Sequence, residues 1–151
     1  MKTKTFLIIG LALVLAPLKA AAPAAAAPSQ PIVTVYKDPD CGCCKAWVEY
    51  MRKHGFRVDA KDTRDMEQIK ANLGVPASLV SCHTAIVGGY VIEGHVPAAD
   101  IERLLKQKPK IAGLAVAGMP AGSPGMEGPP PVHYQVIAFE RSGKTHVFAS
   151  H

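Results

Sequence analysis

Three of the chain's four cysteines stand in one tetrapeptide, Cys41-Gly42-Cys43-Cys44, and that crowding limits what this part of the chain can build. Disulfide staples join distant stretches of a chain, so three sulfurs in four residues point to chemistry rather than cross-linking. Before them, Ile32 to Tyr36 is a β-branched run ended by Lys37-Asp38-Pro39-Asp40, which reads as a strand and a turn. After them, Trp47, Val48, Tyr50 and Met51 give an apolar stripe as far as His54, with a stop at Gly55, so this stretch reads as a helix. The cluster therefore opens a helix, whose unpaired N–H groups and positive dipole end favour thiolates. Thiolate is the form that attacks disulfides and also the form that binds metal.

The pattern continues regularly. Phe56 to Ala60 alternates like a strand, and Asp65 to Leu73, closed by Gly74 and Val75-Pro76, reads as a helix. Thr84 to Val87 and Tyr90 to Ile92 flank Gly88-Gly89, a hairpin signal. Pro97 to Lys108 reads as a third helix, with Ile101, Leu104 and Leu105 buried. The order βαβαββα, with a C-x-x-C spacing of Cys41 and Cys44 at the first helix, predicts an α/β, thioredoxin-like domain over residues 32–108. Residues 109–131 are Gly/Pro-rich without apolar periodicity and read as a loop. Val132 to Phe139 and Thr145 to Ala149 read as a terminal β-hairpin outside the basic fold, so 109–151 form a C-terminal extension.

The beginning of the chain carries a different message. A basic start (MKTKT), an apolar run from Phe6 to Leu18 and an Ala-rich stretch to Ala27 are the three parts of a signal peptide, expected over residues 1–27. Export to a bacterial periplasm follows, leaving a soluble chain of about 125 residues. The alternative, an uncleaved membrane anchor, is disfavoured because Pro17 and Lys19 interrupt the run short of the ~20 residues a span needs. The 17 basic residues face 12 acidic ones in the 151-residue chain, a net charge of +5. Without Lys2, Lys4 and Lys19 the balance is 14 against 12, and no later basic run has the density that binding nucleic acid requires. One compact, monomeric domain is expected after the Ala/Pro-rich linker over residues 20–31.

Two sites carry the chemistry. Cys41, Cys43 and Cys44 supply one sulfur more than a dithiol switch needs. Ser81-Cys82-His83-Thr84, at the start of the hairpin, would face the first helix in a thioredoxin-like domain and add a sulfur and an imidazole. Cys82 could instead be a small core residue and His83 a surface one. His95 sits between hairpin and third helix, either as a ligand or acid/base group or as a solvated loop residue. Met119 and Met126 lie in a polar, Gly-rich stretch where no helical stripe accounts for them, and either offers a soft thioether or a pin for the loop. His54, His133, His146 and His151 read as surface residues. A structural zinc site would show two separated cysteine pairs, whereas sulfurs crowded at one helix start, with methionines at hand, suit copper(I).

These motifs resemble those of the CopG-like copper-resistance proteins, small exported proteins of Gram-negative bacteria. The resemblance rests on Tyr36 to Lys45, Ser81 to Ala85, Glu93 to Pro97 and Gly118 to Glu127, four ordered motifs within residues 32–149. It implies a thioredoxin-like domain with a metal-binding C-terminal extension and a C-x-C-C motif that holds one or more copper ions, with a role in copper redox interconversion. Carried over by residue, it points to Cys41, Cys43, Cys44 and Cys82, with His83, His95 and the extension beside them. The expectation is a periplasmic copper-binding protein for copper tolerance, whose partners are copper ions and other periplasmic copper-handling proteins. A periplasmic thiol-disulfide oxidoreductase using Cys41 and Cys44 is the alternative, and whether copper turns over at the site stays open.

Overall fold

The computed structural model describes residues 31–128 and 130–151, so the expected signal peptide lies outside the described residues. Among them no helix is long and apolar enough to cross a membrane. The elements run β1 (Val33–Lys37), α1 (Gly42–Lys53), β2 (Val58–Asp62), α2 (Met66–Leu73), a 3-10 turn (Ala77–Leu79), β3 (His83–Val87), β4 (Tyr90–Glu93), α3 (Ala98–Gln107), β5 (Gly113–Ala115), β6 (Gln135–Phe139) and β7 (Thr145–Ser150). They make a mixed α/β fold around one seven-stranded sheet of order β2-β1-β3-β4-β5-β6-β7.

Strand β1 pairs in parallel with β2 and antiparallel with β3, and β4 returns antiparallel to β3. That set, with its three helices, has the βαβαββα order and is compatible with a thioredoxin-like arrangement. Strand alternation sorts the packing. Val33 and Val35 of β1, Ala85 and Val87 of β3, and Ile92 of β4 join Trp47, Val48 and Met51 of α1 and Ile101 and Leu104 of α3 in the main core. The intervening Val91, with Ala115 and Phe139, meets Leu73, Val75 and Leu79 in a smaller cluster on the other face. Leu105 is only partly buried, because it stands at the rim of the α3 stripe.

The stretch 109–131, expected as an uninterrupted loop, contains β5. Its three residues are buried and pair in parallel with β4 through Val91↔Gly113 and Glu93↔Ala115. A Gly-Leu-Ala strand is too short for periodicity and poor in β-branched residues, so nothing local announces it. Gly113 is required by close approach, since a Cβ there would overlap the Val91 carbonyl. β5 in turn receives β6 antiparallel, and the terminal hairpin β6–β7, expected outside the basic fold, continues the same sheet.

The chain's last residue is also docked. His151 Nε2 lies 2.7 Å from Asp100 Oδ2 on α3, and its ring stacks on Tyr134 with centroids 5.2 Å apart. Sequence alone offered it no partner, because Asp100 is 51 residues away.

Candidate metal centre

Cys41 caps α1. Its backbone is extended and its Sγ accepts a hydrogen bond from the Cys44 N–H at 3.2 Å, so the sulfur occupies the place of a capping oxygen. The turn before it is held by Asp38, whose Oδ1 accepts from the Asp40 N–H at 2.8 Å and whose carbonyl accepts from the Cys41 N–H at 3.2 Å. No acidic residue stands in the first turn of α1 to offset its positive end. One helical turn brings Cys41 and Cys44 to a Cα separation of 5.3 Å, and the two are joined in a disulfide. Cys43 and Cys82 are free thiols, each half-buried.

Cys43 Sγ is the meeting point. It stands 3.5 Å from Cys41 Sγ, 3.7 Å from Cys82 Sγ and 3.9 Å from the Met119 thioether. Cys82 immediately precedes β3, and β3 lies beside β1, so the sheet carries the fourth sulfur to the start of α1. Cys82 Sγ is also 3.0 Å from His95 Nε2 and 3.3 Å from His83 Nδ1. The donor atoms of Cys41, Cys43, Cys44 and Cys82 lie within 4.8 Å of one another, as do those of Cys82, His83 and His95. Two groups of atoms of the kind that ligate metals therefore share one sulfur.

The histidines differ in how they are held. His95 is fully buried, and its Nδ1–H donates to the Pro124 carbonyl at 2.7 Å, which leaves the Nε2 lone pair directed at Cys82. A backbone carbonyl that orients an imidazole in this way is the usual outer support of a metal-ligating histidine. The carbonyl is in place because Gly125, at φ +85°, packs against the first turns of α1. A Cβ at Gly125 would lie 2.8 Å from the Trp47 nitrogen and 2.9 Å from the Cys43 carbonyl. His83 is equally buried, 4.5 Å from Trp47 and 5.0 Å from His95 between ring centroids, and among the described residues its Nε2 has no hydrogen-bond partner. A buried imidazole nitrogen without a partner is costly, and it is the other nitrogen, Nδ1, that stands beside Cys82.

Of the two methionines, only Met119 is in sulfur contact with the cluster among the described residues. Its side chain is half-exposed at the mouth of the site. Met126 ends a tight turn, its N–H donating to the Ser123 carbonyl at 2.8 Å and its carbonyl accepting from Gly122 at 3.0 Å. Sequence could not rank the two, because their neighbourhoods read alike.

A buried ionic network holds the Ser81–Cys82 turn, and sequence reasoning missed it. Glu93, fully buried at the end of β4, accepts from the Ser81 N–H at 2.6 Å, the Thr84 hydroxyl at 2.7 Å and the Lys70 ammonium of α2 at 2.5 Å. Burial pushes the Glu93 carboxyl up, against the Lys70 charge and these hydrogen bonds, which pull it down. Glu93 does stand inside the Glu93-Gly94-His95 motif, but a carboxylate facing the core has no local signal. The Ser81 hydroxyl donates to the Gly118 carbonyl, tying the turn to the segment that carries Met119.

Burial also sets the protonation of the donors. It pushes the Cys82 thiol up to about 12, with Cys43 adding to the effect. That thiol keeps its proton at neutral pH unless a cation displaces it. Burial lowers His83 well below its ordinary 6.5, helped by His95 and Lys70, and lowers His95 in spite of the Pro124 carbonyl and Glu127. Both imidazoles are therefore neutral at pH 7.

The stability consequence has a definite sign. Below pH 6.5 the unfolded chain takes up protons on these two histidines more readily than the folded one, so their contribution to the stability of metal-free protein shrinks as pH falls, while the raised Glu93 carboxyl works in the opposite direction. The expected slope is up to about 1.4 kcal/mol per pH unit for each histidine. Urea midpoints between pH 7.5 and 5 measure it, with a His83→Gln chain showing a shallower slope; equal slopes would mean that His83 takes no part.

Comparison with known proteins comes to the same region. A family described as "Protein of unknown function, DUF411" matches residues 79–126, which hold Cys82, His83, His95 and both methionines but not the α1 cysteines. Two solved structures, titled "Copper resistance protein copG- Form 2" and "Copper resistance protein copG- Form 1", are each 45% identical to this chain. Each alignment covers 81% of this chain and 98% of the other, with TM-scores of 0.77 and 0.76. No curated protein matches.

Proposed function

The chain belongs to the CopG-like copper-resistance family, and from that premise we propose that it holds one or more copper ions on Cys41, Cys43, Cys44 and Cys82, with His83, His95 and Met119 completing the ligand set. One observation carries the reading: two groups of donor atoms, each within 4.8 Å, share Cys82. Thiolates and a thioether are soft ligands that select copper(I), whereas zinc rarely takes a thioether. The buried, neutral imidazoles extend the set toward copper(II), so interconversion of the two oxidation states is part of the proposal. Use of all four sulfurs requires the Cys41–Cys44 bond to be reduced first. The biological setting we infer is copper tolerance in the periplasm, reached by cleavage after the signal peptide, with the thioredoxin-like part and the 109–151 extension both contributing ligands.

Copper(I) titration of the reduced protein against a chromophoric chelator tests this directly. Wild type is expected to bind at least one ion tightly. Cys43→Ser removes the sulfur that touches three others, and it is expected to lower affinity by more than the roughly 10- to 100-fold that loss of an outer-shell partner costs. Unchanged affinity and stoichiometry in Cys43→Ser would remove the sulfur cluster from the account.

A further inference from the structure

The four sulfurs are arranged for more than holding an ion. One disulfide, Cys41–Cys44, sits beside two free thiols, Cys43 and Cys82. Cys43 Sγ is 3.5 Å from one end of that bond and 3.7 Å from the other free thiol. Thiol–disulfide exchange needs a thiolate in reach of a disulfide sulfur and no other reagent. A simple dithiol switch would need neither Cys43 nor Cys82. We propose that Cys43 is the pivot of an internal disulfide relay, which moves the bond from Cys41–Cys44 to Cys43–Cys82.

The relay has two steps. In the first, Cys43 as thiolate attacks Cys41 Sγ: the Cys43–Cys41 bond forms and the Cys41–Cys44 bond breaks. Cys44 leaves with the electron pair at the N-terminal turn of α1, where the helix dipole favours a thiolate, and takes up the proton that Cys43 released. In the second step Cys82 Sγ attacks Cys43 Sγ: the Cys43–Cys82 bond forms, the Cys43–Cys41 bond breaks, and Cys41 leaves with the pair. Cys82, half-buried, attacks as the small thiolate fraction present at pH 8, its proton released to solvent, and Cys41 takes up a proton from solvent as it leaves. His95 Nδ1 is occupied by the Pro124 carbonyl, which keeps Nε2 turned toward the sulfur. One disulfide and two thiols stand on each side of the exchange, so no oxidant or reductant is consumed.

The product differs from the starting state in one respect. The bond now spans from α1 to the start of β3, and Cys41 and Cys44 return as a dithiol at the helix start. Its use, changing which two ligand sulfurs are free from Cys43 and Cys82 to Cys41 and Cys44, rests on the copper reading; the exchange itself does not and is tested without metal.

The test is disulfide mapping of the oxidised, metal-free chain, equilibrated at pH 8 in chelator, quenched in acid and digested with trypsin. Cys41, Cys43 and Cys44 all lie in the peptide Asp38–Lys45, and Cys82 lies in Ala71–Arg103, so a cross-link between the two peptides reports the relay. Wild type is expected to show that cross-link in about a tenth or more of chains, the fraction set by two bonds within about 1.4 kcal/mol of each other. Cys43→Ser is expected to lose it entirely, while Cys44→Ser, in which the original bond cannot form, is expected to show it as the main species. A wild type with the two peptides never joined would overturn the relay, and so would a cross-link that persists in Cys43→Ser. Copper titration of the reduced chain is read separately, so either proposal can fail while the other stands.

Discussion

Replacing Cys82 with Ala is expected to remove copper binding from both donor groups at once. Its sulfur belongs to the cysteine group and to the Cys82–His83–His95 group, and no other residue belongs to both. The affinity of the reduced chain for copper(I) should fall by well over the 10- to 100-fold typical of losing an outer support. Glu93→Gln supplies that comparison, because Glu93 touches no sulfur and holds the Ser81 N–H at 2.6 Å. The expected order is therefore wild type, then Glu93→Gln, then Cys82→Ala, read by competition against a chelator with far-UV circular dichroism to confirm folding. If Cys82→Ala bound copper as tightly as Glu93→Gln, the two groups would not be joined through this sulfur.

The largest expected loss of stability is at Trp47. The indole is fully buried on α1, joins β1, β3 and α3 in the main core, lies 4.5 Å from the His83 ring and donates through Nε1 to the Val96 carbonyl at 3.0 Å. Trp47→Ala should cost about 3–5 kcal/mol from the lost apolar burial and the cavity left behind. The orphaned Val96 carbonyl adds about 1–3 kcal/mol. Against a domain stability of about 5–15 kcal/mol, that leaves a marginal fold. Trp47→Phe keeps most of the packing and should lose chiefly the hydrogen bond. Because Trp47 is the chain's single tryptophan, urea midpoints must be followed by circular dichroism rather than fluorescence. A loss below 1 kcal/mol in Trp47→Ala would mean that the floor of the metal centre is not packed as described.

Much of the architecture was legible because it is written locally. The stripe of Trp47, Val48 and Met51, the stop at Gly55 and the Gly88-Gly89 turn act over a few residues, and the helices and the β3–β4 hairpin lie within two or three residues of their expected bounds. β5 was not legible: three residues carry no period, and what makes Gly-Leu-Ala a strand is the open edge of β4, a partner 22 residues away. The same holds for the terminal hairpin, whose place in the sheet depends on β5.

The sequence by itself determined the donor chemistry of this protein. Three sulfurs at one helix start, a Cys-His pair before a strand, a histidine after the hairpin and two loop thioethers are properties of composition and spacing, and softness of ligands follows from residue type alone. Only the tertiary structure decided which donors meet. Among the described residues Met119 touches Cys43 and Met126 does not, His95 is buried and oriented by the Pro124 carbonyl 29 residues on, and a Lys70–Glu93 pair fixes the Cys82 turn. It also joined Cys41 to Cys44 and left Cys43 between that bond and Cys82. The physical reason is range: capping, periodicity and turn preference act along the chain, whereas ligand convergence, desolvation and buried charge pairing depend on residues the sheet brings together from far apart.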